Sequence, residues 1–255
     1  TGSSSTTANF TIDTAAPTVS SFTLSDSALK SGETATVELV FSEAVTGFAS
    51  DDVTVPNGSL STMTSSDNIT WTGTYTPTAD IEDDSNVLTL ATSYTDTAGN
   101  TGSSSTTANF TIDTAAPTLN AIETTAFSWG SVLNATEDNS DGTVSVTTSG
   151  AEDGQTLTIT LNGATYTNTV SSNASTVTIS AAGLQALTNG SSYTLTADVS
   201  DTAGNTATQV TSSSFSVETT TPTISGVLLA SDNSTLKVTM SETVYNTNGG
   251  SGSLE

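Results

Sequence analysis

The chain has 255 residues, with 26 carboxylates against two basic residues, Lys30 and Lys237, and a formal net charge of −24. Phosphate binding relies on clustered Lys and Arg to release counterions, so nucleic acid is excluded as a partner, and no basic face is available for direct membrane contact. There is no Cys and no His, which removes disulfides, thiolate or imidazole metal sites and His-based triads, and leaves oxygen chemistry.

The first 18 residues, TGSSSTTANFTIDTAAPT, return unchanged at Thr101 to Thr118. An identity of that length marks an internal repeat. Residues 1–13 are therefore predicted to be the last strand of a preceding module, and residues 14–116 a complete module of the usual domain size. Within it Ala35, Val37, Leu39 and Phe41 alternate with Thr34, Thr36 and Glu38, the period-two pattern of a half-buried strand. Trp71 and Tyr75 alternate with threonines, which places Trp71 in the core; Leu88 and Leu90, then Phe110 and Ile112, continue the inward set. Gly102 to Thr107 reads as a polar hairpin loop. The linker Asp113-Thr-Ala-Ala-Pro117 is short, contains no Gly, and ends on a residue with locked φ, so a stiff junction is predicted.

A diverged module is predicted at residues 117–221. Asp96-Thr-Ala-Gly-Asn100 returns as Asp201-Thr-Ala-Gly-Asn205, and Ile112-Asp-Thr-Ala-Ala-Pro117 is echoed by Val217-Glu-Thr-Thr-Thr-Pro222. Val144 and Val146, then Leu157, Ile159 and Leu161, then Val177 and Ile179, then Leu195, Ala197 and Val199, then Phe215 and Val217 carry the strand alternation. A helical turn is predicted around Leu184 and Leu187. Trp129, beside Gly130, reads equally as core or as a sugar-stacking platform. From residue 222 to 255 the start of a third, truncated repeat is predicted, because Met240-Ser-Glu-Thr-Val244 matches Phe41-Ser-Glu-Ala-Val45. Many short strands separated by turn residues give the fold class: all-β, tandem immunoglobulin-like antiparallel β-sandwich domains arranged end to end.

Antiparallel strands place successive loops at alternating ends of a sandwich, which sorts the acids. In the first module Asp13 of the entering linker, Glu43, Asp51 and Asp52 of the loop after the second strand, and Asp96 with Asn100 are predicted to share one end. Asp113, Glu152 with Asp153, and Asp201 with Asn205 take the same places in the second module; Glu218 and Glu242 do so in the third. Asp26 and the Asp80, Asp83 and Asp84 of the run Asp80-Ile-Glu-Asp-Asp84 lie at the opposite end, with the exit residue Asp113. Acidic ends then meet at each junction, and Ca2+, which takes six to eight oxygen ligands and has no use for His or Cys, is the cofactor this donor set suits. Asp and Asn are also ordinary turn formers in solvated loops, and for any single acid that reading stands beside the metal reading; recurrence at the linker and Asp-x-x-x-Asn positions favours metal. Glu137-Asp-Asn-Ser-Asp-Gly142 has the start of an EF-hand loop, but its twelfth position is Thr148 and not the bidentate Glu. No pair of acids is marked out for glycoside chemistry, and no catalysis is expected.

The Asp-x-Ala-Gly-Asn loop, the Ile-Asp-x-x-x-Pro linker and the Phe-Ser-Glu-x-Val strand end resemble the bacterial immunoglobulin-like extender repeats of giant calcium-dependent RTX and biofilm-associated adhesins, ice-binding ones among them. The likeness covers most of residues 1–222. It implies an extracellular position on the bacterial cell surface and a non-enzymatic spacer that projects a ligand-binding domain for adhesion or biofilm formation. It implies calcium at the linkers through Asp13, Asp113 and Glu218, with Asp96 and Asp201 in the facing loops. Neighbouring repeats of the same chain would be its partners, in a monomeric rod. Two other readings stand beside it: a carbohydrate- or protein-binding adhesin module, and a non-catalytic accessory domain of a secreted enzyme. Near-identical repetition favours the spacer, since length and stiffness gain from copies and a unique binding site does not.

Overall fold

The computed structural model describes residues 3–244. The chain divides into two compact units, Thr1–Ala116 with Ala203–Asn205, and Pro117–Thr202 with Thr206–Glu255.

The first unit contains β1 (Val19–Leu24), β2 (Ala28–Lys30), β3 (Ala35–Phe41), β4 (Val45–Thr46), β5 (Val53–Thr54), β6 (Gly58–Leu60), β7 (Thr70–Pro77), β8 (Glu82–Asn86), β9 (Thr89–Leu90), β10 (Thr95–Asp96), β11 (Ser105–Thr106) and β12 (Phe110–Asp113). A four-stranded sheet of order β1-β3-β7-β6 shares one core with a three-stranded sheet of order β2-β12-β8. The alternation along β3 does what its sequence predicts: Ala35, Val37, Leu39 and Phe41 are buried while Thr36 and Glu38 face water. Trp71 packs its ring edge on Phe48, centroids 4.9 Å apart, and is partly buried against the core.

The pairing is antiparallel with one exception. β12 lies antiparallel to β8 but parallel to β2. The cause is local: after β1 the chain turns at Ser25–Ser27, where the Asp26 carboxylate accepts from Ala28 N at 3.0 Å, and β2 continues in the opposite sheet. A strand that changes sheet without reversing ends up alongside the last strand in the same direction.

The Gly102–Thr107 stretch is more ordered than a polar loop. Ser105 and Thr106 pair with β9, and Gly102 is buried under the Tyr94 ring. Tyr94 Oη donates to Ser103 O at 2.7 Å and Gly102 N donates to Tyr94 O at 3.0 Å, so the ring lies flat on the backbone. A Cβ at position 102 would stand 2.1 Å from that ring. Gly102→Ala is therefore expected to cost about 1–3 kcal/mol by overpacking, readable as a lowered urea midpoint at unchanged slope.

The second unit contains β13 (Thr118–Leu119), β14 (Val132–Asn134), β15 (Gly142–Ser149), β16 (Thr156–Leu161), β17 (Ala164–Thr169), β18 (Ala174–Ile179), α1 (Ala181–Gln185), β19 (Ser192–Tyr193), β20 (Leu195–Asp198), β21 (Val210–Thr211) and β22 (Phe215–Glu218). Its sheets run β13-β15-β18, β14-β22-β19 and β17-β16-β20-β21 around a single core. The parallel β14–β22 pair repeats the β2–β12 arrangement. The predicted helical turn is α1, capped by Ser180, whose side chain accepts from Gly183 N, with Leu184 inserted into the core. Trp129 resolves as core: it stacks on Phe127 at 5.2 Å and meets Phe215 edge-on at 5.4 Å.

Beyond the second sandwich, β23 (Ile224–Leu229) and β24 (Leu236–Met240) form a hairpin. Its register repeats that of β1 and β3, bulge included: Ile224 opposes Met240 as Val19 opposes Phe41. Thr18 and Ser42 exchange two hydrogen bonds, Thr18 N to Ser42 Oγ and Ser42 N to Thr18 O, and Thr223 and Ser241 exchange the same two. Residues 3–18 contain no strand.

Candidate metal centre

Three of the sequence-predicted acids converge. Asp13, Glu43 and Asp96 each offer a carboxylate oxygen, and these oxygens all lie within 4.8 Å of one another. Each is delivered by a different local device. Asp13 sits in the segment entering the first unit and turns on itself, with Ala15 N donating to its Oδ1 at 3.0 Å. Glu43 follows the Ser42 clamp at the end of β3. Asp96 ends β10, opposite Val45 of β4, and is only 2% exposed.

The Asp96-Thr-Ala-Gly-Asn100 loop is organised around that buried carboxylate. Ala98 N and Asn100 N donate to its Oδ1, both at 2.8 Å, and Asn100 Nδ2 donates to its Oδ2 at 2.7 Å. Gly99 has φ +94°, the left-handed value the turn requires. The same Asn100 amide reaches the entering segment, within 3.3 Å of Asp13 O and 3.2 Å of Ala15 O. Asn100 thus ties the loop to the linker, and the Ala15 carbonyl joins the site through its backbone, where side-chain patterns carry no signal. The Thr18–Ser42 clamp also escaped side-chain sorting; the recurring Pro-Thr and Ser-Glu pairs could have found it.

Asp96 is held below the usual carboxylate range, first by the Asn100 side-chain amide and then by the backbone N–H groups of the loop, while burial pushes the other way. A depressed acid stabilises the fold above its unfolded value of 3.8, and that contribution is lost as pH falls through the folded value. The melting temperature is therefore expected to fall steeply below about pH 4, and Asp96→Asn should flatten that part of the profile. Three like charges this close repel, and neither lysine answers them: the one ion pair among the described residues is Lys30–Glu33 at 4.0 Å.

The other predicted residues are placed as follows. Asp51 lies in a 3-10 turn and Asp26 caps β2. Along β8 the side chains of Asp83 and Asp84 point to opposite faces, and Asp83 accepts from Asn57 Nδ2 and Ser85 N, both at 2.8 Å. Asp80 occupies a left-handed turn position, φ 57°. Asp113 Oδ1 accepts from Ala115 N and from Asn205 Nδ2, both at 3.2 Å, and Asn205 Oδ1 accepts from Ser31 N at 2.8 Å. Asp201 is buried. By register Thr118 opposes Ser149, so Gly150 stands where Glu43 stands in the first unit. Glu152, two residues on, accepts from Thr202 N at 2.9 Å, and Asp153 accepts from Ser172 N at 2.7 Å. Glu218 accepts from Thr220 N at 3.1 Å, the turn that Asp13 and Asp113 also make. Glu242 takes the Glu43 position of the hairpin. In the Glu137–Gly142 stretch Glu137 accepts from Asn134 N in a local turn, and Asp141 accepts from Ala181 N at the start of α1, 40 residues away.

Residues 13–112 match the family model for the bacterial Ig-like domain, Big_12. A solved bacterial immunoglobulin-like domain from the M. primoryensis ice-binding adhesin is 33% identical; it aligns with 40% of this chain and 94% of its own, TM-score 0.29. A structure from a 1.5-MDa bacterial ice-binding adhesin is 26% identical over 80% of this chain, TM-score 0.43. A Ca2+-stabilized adhesin that helps an Antarctic bacterium reach out and bind ice is 27% identical over 86% of it, TM-score 0.42. The chain spans 65% and 53% of the lengths of those last two structures. No curated protein matches it. Among the described residues no helix is long and apolar enough to cross a membrane.

Proposed function

Because the chain belongs to the bacterial immunoglobulin-like domain family, we propose that it is an extender segment of a bacterial cell-surface adhesin, with Ca2+ fixing the entering segment to the sandwich that follows. The observation that carries this reading is the convergence of Asp13, Glu43 and Asp96. One of these acids belongs to the linker and two to the sandwich, so an ion shared among them would restrain the linker.

The donor set fits the ion. It consists of hard carboxylate oxygens, and the chain has no imidazole or thiolate to favour a softer metal. Bound Ca2+ would supply charge neutralisation and multiple oxygen coordination. The chain's own residues do the rest: the loop N–H groups and Asn100 orient Asp96 before any ligand arrives, as outer-shell donors do at metal sites. Asn100 also gathers the Asp13 and Ala15 carbonyls. The recurrence of a linker acid at Asp113 and Glu218 extends the same chemistry along the sequence, and neighbouring repeats of the same chain are its partners. An extracellular location on the cell surface and the absence of a catalytic role belong to this reading. The spacer is favoured over a ligand-binding module because Trp71 and Trp129 are committed to the two cores.

Titration calorimetry tests it. The tightest calcium-binding event of the chain is expected to disappear in Asp13→Asn/Glu43→Gln/Asp96→Asn, and Mg2+ is expected to bind more weakly, since it dehydrates reluctantly and prefers near-octahedral geometry. Identical calcium isotherms for the two proteins would overturn the assignment.

A further inference from the structure

Asn-Gly and Asp-Gly are the sequences in which a side-chain carbonyl carbon is most open to attack by the next main-chain nitrogen, because glycine has no Cβ to shield it. The described residues contain Asn57-Gly58, Asp141-Gly142, Asp153-Gly154, Asn162-Gly163 and Asn189-Gly190.

All but one of these pairs are held by the fold. Asn57 Nδ2 donates to Asp83 Oδ2 and to Asn86 Oδ1, both at 2.8 Å. Gly58 lies so close under the Tyr75 ring that a Cβ there would stand 2.5 Å from it. Asp141 Oδ1 accepts from Ala181 N at 2.9 Å, and Gly142 lies under Trp129 in the same way. Asp153 Oδ1 accepts from Ser172 N at 2.7 Å, while Gly154 N donates to Val170 O at 2.9 Å. Asn189 uses both ends of its amide: Nδ2 donates to Thr220 Oγ1 at 2.6 Å and Oδ1 accepts from Thr219 N at 2.7 Å. Its attacking neighbour is tied as well, Gly190 N donating to Val217 O at 2.9 Å. Each of these side chains has a partner to give up before a ring can close.

Asn162-Gly163 is different. Leu161 pairs with Ala164, so the two residues are the whole loop of the β16–β17 hairpin. Their φ values of 49° and 81° give the type I′ turn for which Asn-Gly is the preferred sequence. Asn162 is exposed, its amide makes no hydrogen bond to any described residue, and nothing lies within 4 Å of where a Cβ at position 163 would be. β17 is the edge strand of its sheet, and Ala164 and Thr165 beside the loop are exposed, so the tip opens without disturbing the core.

We propose that Asn162 is a site of spontaneous modification, a deamidation centre at the tip of the β16–β17 hairpin with water as its co-reactant. The Gly163 N–H gives its proton to solvent and the nitrogen bonds to Asn162 Cγ. The Cγ–Nδ2 bond breaks, ammonia leaves, and a five-membered succinimide closes. Water then adds to one of the two ring carbonyls. Breaking the bond from nitrogen to Cγ leaves aspartate; breaking the bond from nitrogen to the main-chain carbonyl carbon leaves isoaspartate, whose main chain runs through Cβ and Cγ. Either way one water is consumed, one ammonia is released, and a neutral amide becomes a carboxylate. Isoaspartate adds a carbon to the main chain of a loop that the Leu161–Ala164 pair holds to two residues, so that route also loosens the register of the hairpin.

Peptide mapping by mass spectrometry of the folded full chain, incubated in mildly alkaline buffer, tests this. The fraction converted at Asn162 is expected to exceed that at Asn57 and at Asn189 by at least about tenfold, the factor that the broken hydrogen bonds place on the open population. In the same buffer with enough urea to unfold the chain, the three asparagines all precede glycine without protection, and their rates should converge. Asn162→Gln keeps the amide but would have to close a six-membered ring, and its peptide should stay unconverted over the same period. Conversion of Asn57 or Asn189 in the folded chain at a rate equal to or above that of Asn162 would overturn the proposal. So would an Asn162 that stays intact in the folded chain while the unfolded chain converts.

Discussion

Stripping calcium from the chain should lower the melting temperature of the first unit by about 10–20 °C. A ligand held at 100 times its dissociation constant stabilises the state that binds it by about 2.7 kcal/mol, and a domain of this size shifts by about 4–8 °C per kcal/mol. The size of the effect follows from what is left without the ion: three carboxylates held within 4.8 Å by a turn that does not relax easily, because Asp96 is buried and accepts three hydrogen bonds from its own loop. Each unit contains one of the chain's two tryptophans, Trp71 in the first and Trp129 in the second, so Trp129→Phe leaves a fluorescence signal from the first unit alone. Calcium should raise that transition well beyond what NaCl of equal ionic strength achieves, since screening of a net −24 acts on the whole molecule. Asp96→Asn should remove most of the calcium-dependent part and leave the NaCl-dependent part. A first-unit transition that is the same in chelator and in calcium would leave these acids as hydrated surface.

The two copies of the repeated segment should respond in opposite ways to the same substitution. Phe110→Ala is expected to cost about 3–5 kcal/mol, the usual loss for a fully buried aromatic side chain, because it deletes a ring packed edge-on against Tyr75 and leaves a cavity. Phe10→Ala, in the same eighteen-residue sequence, is expected to stay within about 0.5 kcal/mol, since its ring faces water. Chemical denaturation followed by Trp71 fluorescence reads both. A large cost at position 10 would mean that the entering segment is packed after all, and a small one at 110 that the β12 contact contributes little to the core.

That contrast marks where sequence reading ends. Period-two alternation identified the buried side of β3, of β12 and of the long strands of the second unit, because burial on one face of a strand is a local property that neighbours i and i+2 share. The helical turn at Leu184 was equally local, set by the Ser180 cap and one inserted leucine. Sorting loops by strand count places Asp13, Glu43 and Asp96 at one end of the first sandwich, and their carboxylate oxygens lie within 4.8 Å of one another. In the second module Thr118 opposes Ser149, so Gly150 takes the register position of Glu43, while Glu152 lies in the same loop and accepts from Thr202 N beside Asp201.

The amino-acid sequence by itself determined the chemistry of this protein: oxygen ligands only, a chain that repels itself, strands and not helices, and modules in tandem. Those properties follow from residue type and local period. Tertiary structure alone decided which acids meet, because three carboxylates from the entering segment, the end of β3 and the end of β10 are distant in sequence and are brought together only by sheet pairing.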